Sequence, residues 1–176
     1  MESHLAISSI WEDECLFEIR ISGTNGAFAG RADCYTNRNE IEELGKLLEV
    51  FPKSVSDSFE FTTRSKADLS YFSVSGFCTD NSGHTLLAIT IAHIESFTNV
   101  RNENYKVNFD LKVEPQAINS FGKQLQRIAK EPLGKTEAVL KTNITRHLRR
   151  NPLGWLAGTQ TSRLLRIIAC LFVPHI

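Results

Sequence analysis

Alternation of apolar and polar residues over 14–23 and 105–113 predicts two strands, each with one buried and one solvated face. In the first segment the buried positions are Cys15, Phe17, Ile19 and Ile21. In the second they are Tyr105, Val107, Phe109, Leu111 and Val113. Weaker strand patterns cover 5–11, 27–35, 58–63, 69–79 and 85–95. The last has apolar residues on both parities, which favours a central strand covered on both faces.

Two segments follow the helical period instead. Residues 38–51 and 115–130 carry apolar stripes; the first follows Asn37, a suitable N-cap, and the second begins at Pro115. Gly45 and Gly122 hold the same place in the two stripes, where each costs about 1 kcal/mol against Ala. This match predicts close approach of both helices to a sheet. A duplicated strand–helix unit and convergent packing both explain it.

Turn sequences at 23–26 and 80–83 predict hairpins between the strands on either side. The resulting order of elements is β-β-β-α-β-β-β-β-α. Long runs of sequential strands with few helices are typical of the α+β class. We therefore expect a mainly antiparallel, β-sandwich-like sheet structure with two amphipathic helices.

Charge divides the chain of 176 residues, although its formal net charge is zero. All 20 acidic residues lie in 1–137, together with 14 Lys or Arg, whereas 138–176 hold six Lys or Arg and no acid. We predict a domain over 1–136 and a basic, weakly structured C-terminal extension over 137–176.

The whole-chain charge and hydropathy do not favour a nucleic-acid or membrane partner. A net charge of zero gives no overall attraction to either. The first residues lack a basic and apolar leader, and the longest apolar stretch, 167–173, is far shorter than a bilayer span. The sequence therefore predicts a cytoplasmic protein.

The side chains that usually carry chemistry form no recognisable motif. The cysteines lack C-x-x-C spacing, which favours reduced, buried thiols on strands: Cys15, Cys34, Cys78 and Cys170. His84 and His93 are nine residues apart on one predicted strand, so they face opposite sides and cannot share a metal ion. No Gly-rich phosphate loop is present. We expect no catalytic residue, metal or cofactor.

Two groups of residues remain candidates for binding. His84 follows a turn glycine and, with Asp80, either closes the turn or lines a pocket. Four glutamates crowd the polar side of the first helix and either contact a partner or form a solvated face: Glu40, Glu42, Glu43 and Glu49.

Three short motifs in this chain resemble motifs of a known protein family. They are Phe-Pro-Lys-Ser-Val-Ser-Asp at 51–57, Asp80-x-x-Gly83-His84, and Glu114-Pro115-x-x-Ile118-Asn119 with Gly122 following. Over about residues 5–130 the chain resembles a small bacterial family that includes WapI-like immunity proteins and many members of unknown function. Residues 131–176 match nothing in that family's pattern.

The resemblance implies an antiparallel β protein with two helices, which agrees with the hydrophobic pattern. It also implies a non-enzymatic protein that binds a cognate bacterial toxin domain and blocks it. An acidic body suits a basic partner such as a nuclease. The alternatives are an enzyme or a small-ligand module with a pocket near Asp80 and His84, or an unassigned interaction or structural role.

Overall fold

The computed structural model describes residues 2–63, 70–97 and 101–142. In these ranges the chain forms eight strands and two helices. The strands are β1 (His4–Glu12), β2 (Phe17–Thr24), β3 (Ala29–Thr36), β4 (Ser58–Thr62), β5 (Tyr71–Cys78), β6 (Thr85–Phe97), β7 (Arg101–Val113) and β8 (Glu137–Lys141). The helices are α1 (Arg38–Glu49) and α2 (Pro115–Lys130).

The strands form two antiparallel sheets of four strands each. The first sheet has the order β3-β2-β1-β8, and the second has the order β4-β5-β6-β7. Because each sheet buries one face, the apolar sides of both sheets and both helices share one core. The predicted α+β class and order of elements are confirmed. The structure adds β8 after α2.

Burial confirms the predicted faces of β2 and β7. Phe17, Ile19 and Ile21 are at most 2% exposed, and Phe109 is 5% exposed. The alternation also predicts that Tyr105 is buried on this face of β7, but it is 56% exposed because a surface cleft opens beside it. The alternation therefore predicts the faces correctly, but not how far along β7 the core extends.

Strand β6 is central in the second sheet, between β5 and β7. Its Leu87, Ile89 and Ile91 face the core and are at most 2% exposed. On the opposite face Ala88 is exposed and Leu86 is half-buried. Among the described residues, the predicted coverage of both faces is therefore wrong in the middle of this strand.

Helices α1 and α2 pack against each other through their glycines. A Cβ atom at Gly122 would lie 2.5 Å from the backbone nitrogen of Glu49 and 2.6 Å from the carbonyl oxygen of Gly45. Only hydrogen fits at this crossing. The predicted close approach exists, but its partner is the other helix and not a sheet. The shared contact accounts for the matching glycines, and the duplicated unit stays a prediction.

Arg38 ties the start of α1 to two other elements. Its Nε and Nη2 donate to the two carboxylate oxygens of Glu12 at 2.5 and 2.7 Å. Its Nη1 donates to the carbonyl oxygen of Ala129 at 2.8 Å, at the end of α2. Because Arg38 donates to Glu12, the pKa of Glu12 is lowered. The same guanidinium lies 4.7 Å from the centre of the Phe17 ring.

The predicted boundary between 136 and 137 is wrong for the residues that follow it directly. Residues 137–141 form β8, which pairs antiparallel with β1 from His4 to Ser8. Its Ala138 and Leu140 are at most 1% exposed, since their alternation continues the buried face of the first sheet. The rest of the predicted basic extension, from 143 to 176, lies outside the described residues.

The cysteines differ in burial. Cys34 lies on β3 and is fully buried, and this burial raises the pKa of its thiol to about 12. Cys78, at the end of β5, is half-buried. The prediction of a buried strand position is wrong for Cys15, which lies exposed in the β1–β2 turn. Cys170 lies outside the described residues.

Candidate functional site

Two of the four helix glutamates are bound by cations. The carboxylate of Glu42 lies 2.8 Å from the ammonium of Lys46 and 3.3 Å from that of Lys130 on α2. These two contacts lower the pKa of Glu42. Glu49 lies 3.9 Å from the ammonium of Lys123, also on α2. Both carboxylates therefore take part in contacts between the helices.

The other two glutamates lie in different surroundings. Glu40 accepts a hydrogen bond from the Oγ1 of Thr36 at 2.6 Å, while its own backbone nitrogen donates to the N-cap side chain of Asn37 at 2.8 Å. Glu43 is exposed to solvent. The four residues thus form a mixed-charge helix surface, in which the cations of α2 balance part of the negative charge.

Asp80 and His84 close the turn between β5 and β6. One carboxylate oxygen of Asp80 accepts from the backbone nitrogens of Ser82 at 2.8 Å and His84 at 3.3 Å. The other lies 2.5 Å from the Nδ1 of His84. This contact raises the pKa of His84 and lowers that of Asp80. The Nε2 of His84 lies 3.4 Å from Glu114, which precedes α2.

The three motifs of the family resemblance meet at this turn. Gly83, at φ +84°, packs so that a Cβ atom there would lie 3.3 Å from Pro115 Cγ and 3.8 Å from Pro52 Cγ. Asn119 donates through Nδ2 to the carbonyl oxygens of Leu48 at 2.9 Å and Phe51 at 2.6 Å. Segments far apart in sequence therefore form one corner of the fold.

Within the first motif, Asp57 closes the loop that precedes β4. Its carboxylate accepts from the backbone nitrogen of Lys53 at 2.5 Å and from the Oγ of Ser54 at 2.6 Å. These bonds lower the pKa of Asp57. Since Asp57 and Asp80 both satisfy donors of their own turns, their present contacts are structural. A ligand-binding role of Asp80 and His84 stays a prediction.

His93 lies apart from His84, near the far end of β6. Its ring stacks on that of Tyr105 with centroids 6.4 Å apart, and its Nε2 lies 3.3 Å from the carboxylate of Glu95. The two rings line a cleft of about 370 Å³ between the start of β3 and β7. Among the described residues, no group of three or more His, Cys, Asp or Glu side chains is arranged to hold a metal ion.

A row of three large side chains crosses the outer face of the first sheet. Trp11 on β1 pairs with Glu18 on β2, and Glu18 pairs with Tyr35 on β3. Directly opposed residues in antiparallel strands have Cβ atoms about 4.5–5.5 Å apart, so one carboxylate lies between two aromatic side chains. Trp11 is 43% exposed, while Glu18 and Tyr35 are half-buried. We call these residues the Trp–Glu–Tyr row.

The carboxylate of this row is only partly stabilised by its surroundings. Partial burial raises the pKa of Glu18, Asp33 raises it further, and Arg20 lowers it. Arg20 is held by Asp33, to which its Nε and Nη2 donate at 2.8 and 2.7 Å. Arg31, on the same face of β3, also lowers the pKa of Asp33. Since Arg20 is bound to Asp33, a further cation would stabilise Glu18.

The β1–β2 turn extends the same acidic region. Glu12, Asp13 and Glu14 line a cleft of about 180 Å³ together with Arg38 and neighbouring residues of both elements. One carboxylate oxygen of Asp13 accepts from the backbone nitrogen of Cys15 at 2.8 Å, which fixes the turn. The turn and the Trp–Glu–Tyr row together present more acidic than basic side chains.

The alternation of residues 14–23 predicts Glu18 and Arg20 on the solvated face, where the structure places them. The row itself depends on the register with β1, which shifts at an irregularity between Ser9 and Trp11. At this irregularity one residue of β1 has no partner on β2, so the alternation of faces shifts by one residue and Trp11 lies on the outer face. The hydrophobic pattern carries no signal for that shift.

The fold and this row define a two-sheet antiparallel α+β protein with an aromatic and acidic outer surface. No helix in the described ranges is long and apolar enough to cross a membrane. No protein-family model, curated protein or solved structure matches the chain. The resemblance to WapI-like immunity proteins therefore stays an expectation from the three motifs.

Proposed function

We propose that this protein is a non-enzymatic binding protein that holds a basic protein partner on the outer face of its first sheet. The Trp–Glu–Tyr row is the observation that carries this proposal. A Lys or Arg side chain of the partner would lie between the rings of Trp11 and Tyr35 and reach the carboxylate of Glu18. Aromatic faces attract cations, and the ion pair would relieve the partly buried charge.

The composition of the surface supports a protein as the partner. Trp, Tyr and Arg dominate the binding energy of protein interfaces, and the row with Arg20 beside it supplies all three. Residues 1–137 hold six more acidic than basic residues, which favours encounter with a basic surface. This electrostatic attraction weakens as salt rises, because charges are screened over about 8–10 Å.

The family resemblance supplies the proposed role of the partner. Its three motifs imply an immunity protein, and a bacterial toxin domain with a basic surface would fit the acidic outer face. Toxins that cleave nucleic acid need basic residues to hold phosphates. A protein covering those residues would block the toxin without any chemistry of its own. This blocking is the function that we propose.

The test is co-expression with a toxin domain encoded beside the gene for this chain, followed by calorimetry on the purified pair. The intact chain should restore growth and bind the domain. Glu18→Lys and Trp11→Ala should each weaken binding by about tenfold or more, as expected for central interface residues. Glu43→Lys is the matched charge control and should change binding little.

Two results would contradict the proposal. Failure of the chain to bind or neutralise any neighbouring toxin domain would remove the immunity role. Loss of binding with Glu43→Lys but not with Glu18→Lys would move the interface to the predicted helix glutamates. Far-UV circular dichroism of each variant establishes that the substitution leaves the fold intact.

A further inference from the structure

The edge strand β7 is long, and its solvent-facing side is unusually regular. It pairs with β6 through all thirteen of its residues, and the sheet order leaves its other side without a strand in the described part of the chain. An unpaired edge exposes backbone donors and acceptors that can bind another strand. The edges of natural sheets are normally short, covered or protected by charge.

The side chains of β7 create a pattern that is complementary to itself. On the outer face the even positions from Asn104 to Lys112 are all exposed, and they include Lys106 and Asp110. Neither charge takes part in a salt bridge within the described ranges. The ammonium of Lys106 instead lies 5.9 Å from the centre of the Tyr71 ring.

We propose that two copies of this chain associate through their β7 strands, antiparallel about a two-fold axis at Asn108. In this register Lys106 of each copy faces Asp110 of the other, so the interface contains two opposite-charge pairs. Cross-strand pairs of opposite charge stabilise antiparallel strands. The result is a continuous eight-stranded sheet formed from the two second sheets.

The neighbouring registers lack this complementarity. Moving the axis to Phe109 places Lys106 opposite Lys112 of the second copy, twice, and like charges directly opposed are destabilising. Moving it to Val107 places Lys106 opposite Asn108 and creates no pair of opposite charges. The charges therefore select one register, which is how edge pairing becomes specific.

The inner face also fits the register at Asn108. Val107 faces Phe109 of the second copy, and Tyr105 faces Leu111, so apolar side chains lie opposite each other. Tyr105 is 56% exposed in the single chain, whereas Phe109 and Leu111 are already buried in their own core, so the inner face is compatible with this register and the charges of the outer face select it. The cleft of about 370 Å³ beside residues 104–107 keeps this part of the edge open.

The edge of β3 is a weaker candidate for the same pairing. Its Arg31 could face Asp33 of a second copy about an axis at Ala32. However, Asp33 already accepts two hydrogen bonds from Arg20 of its own chain. Within the described ranges, neither Lys106 nor Asp110 forms a salt bridge, which favours β7. This association does not involve the outer face of the first sheet and stands independently of the proposed toxin binding.

The test is sedimentation equilibrium of the full chain over a wide range of concentration. Wild type should form dimers, and Lys106→Asp or Asp110→Lys alone should raise the dimer dissociation constant by about tenfold or more, since each places two like-charge pairs in the interface. The double variant with both substitutions restores opposite charges and should return to within about threefold of wild type. Arg31→Glu is the control and should leave the dimer unchanged.

Recovery of the dimer in the double variant, which exchanges the charges at 106 and 110, is expected only if these two positions face each other across the interface. A monomer at all concentrations would overturn the proposal. An unchanged dimer dissociation constant in both single variants, Lys106→Asp and Asp110→Lys, would also overturn it. So would a dimer that Arg31→Glu weakens and the β7 variants do not. Because positions 106 and 110 are exposed, thermal unfolding of the variants should match wild type in dilute solution, where wild type is monomeric, and this excludes misfolding as the cause of a lost dimer.

Discussion

The outer edges of strands β8 and β7 differ in how far the rest of the chain covers them. Strand β8 has five residues, and α2 lies against its edge, where the Oε1 of Gln124 accepts from the backbone nitrogen of Val139 at 2.9 Å. Strand β7 has thirteen residues and leaves its edge without a neighbouring strand in the described ranges. Within the described residues, α2 therefore covers the edge of β8, whereas no strand covers the edge of β7.

This difference indicates a division of roles between the two sides of the fold. The helix side is held by the close crossing of Gly45 and Gly122 and by the hydrogen bonds of Arg38. These contacts lie within the chain, so this side contributes stability. Within the described ranges, the edge of β7 has no neighbouring strand, and the outer face of the first sheet exposes Trp11 beside the half-buried Glu18. These are the two surfaces that we propose for recognition.

The largest expected effect is at the helix crossing. Gly122→Val would force side-chain atoms into the backbone of α1, where even a Cβ atom lies 2.5 Å from the Glu49 nitrogen. We expect the free energy of unfolding to fall by about 3 kcal/mol or more, a loss typical of severe overpacking. Urea denaturation followed by circular dichroism measures it.

Ser120→Ala is the control for that substitution, because Ser120 is an exposed position on the same helix. It should change the free energy of unfolding by less than about 0.5 kcal/mol. Equal, small effects of the two substitutions would show that the helices do not depend on this crossing. The helix side would then not be the main source of stability.

A smaller effect is expected where α2 covers the edge of β8. Gln124→Ala removes the acceptor of the Val139 amide, and the free energy of unfolding should fall by about 1 kcal/mol, the usual net contribution of one hydrogen bond. The Val139 amide should also exchange faster with solvent. Unchanged exchange at Val139 would contradict the role given to Gln124.

The smallest effect concerns pH at the turn that joins β5 to β6. The folded-state pKa of His84 is raised above its ordinary value near 6.5 by Asp80, with Glu114 adding to the shift. The stabilisation is therefore fully present below about pH 6.5 and lost as pH rises through the folded pKa. His84→Gln should destabilise the protein more at about pH 5.5 than at about pH 8.5.

Protonation of Asp80 sets the lower limit of that pH window. Its pKa is lowered, so the carboxylate stays charged below its ordinary value near 3.8, and the contact is lost only as pH falls further. Paired unfolding curves of wild type and variant at the two pH values give the comparison. An equal or larger loss at the higher pH would show that the contact does not depend on charged His84.

Much of this fold follows from local sequence periodicity. The alternation at Phe17, Ile19 and Ile21 and the stripes of the two helices depend on neighbouring residues alone, and the structure agrees with both. Strand β8 has only five residues, too few for alternation to distinguish it from a loop. Its position depends on pairing with β1, far away in sequence.

The surfaces proposed for binding were harder to foresee for the same reason. The Trp–Glu–Tyr row needs the register of three strands and the irregularity near Trp11. Likewise, Glu42 is neutralised by Lys130 only because the helices cross, which sequence charge alone does not show. Local patterns predict which residues face solvent, whereas long-range pairing decides which exposed residues become neighbours.

Amide hydrogen exchange of the full chain, followed by NMR over rising protein concentration, tests the division of roles most directly. The Val139 amide should be protected at every concentration. The β7 amides that point away from β6 should exchange rapidly in dilute solution and become protected as concentration rises. Protection of those β7 amides at all concentrations, or free exchange at Val139, would contradict the division between a completed and an available edge.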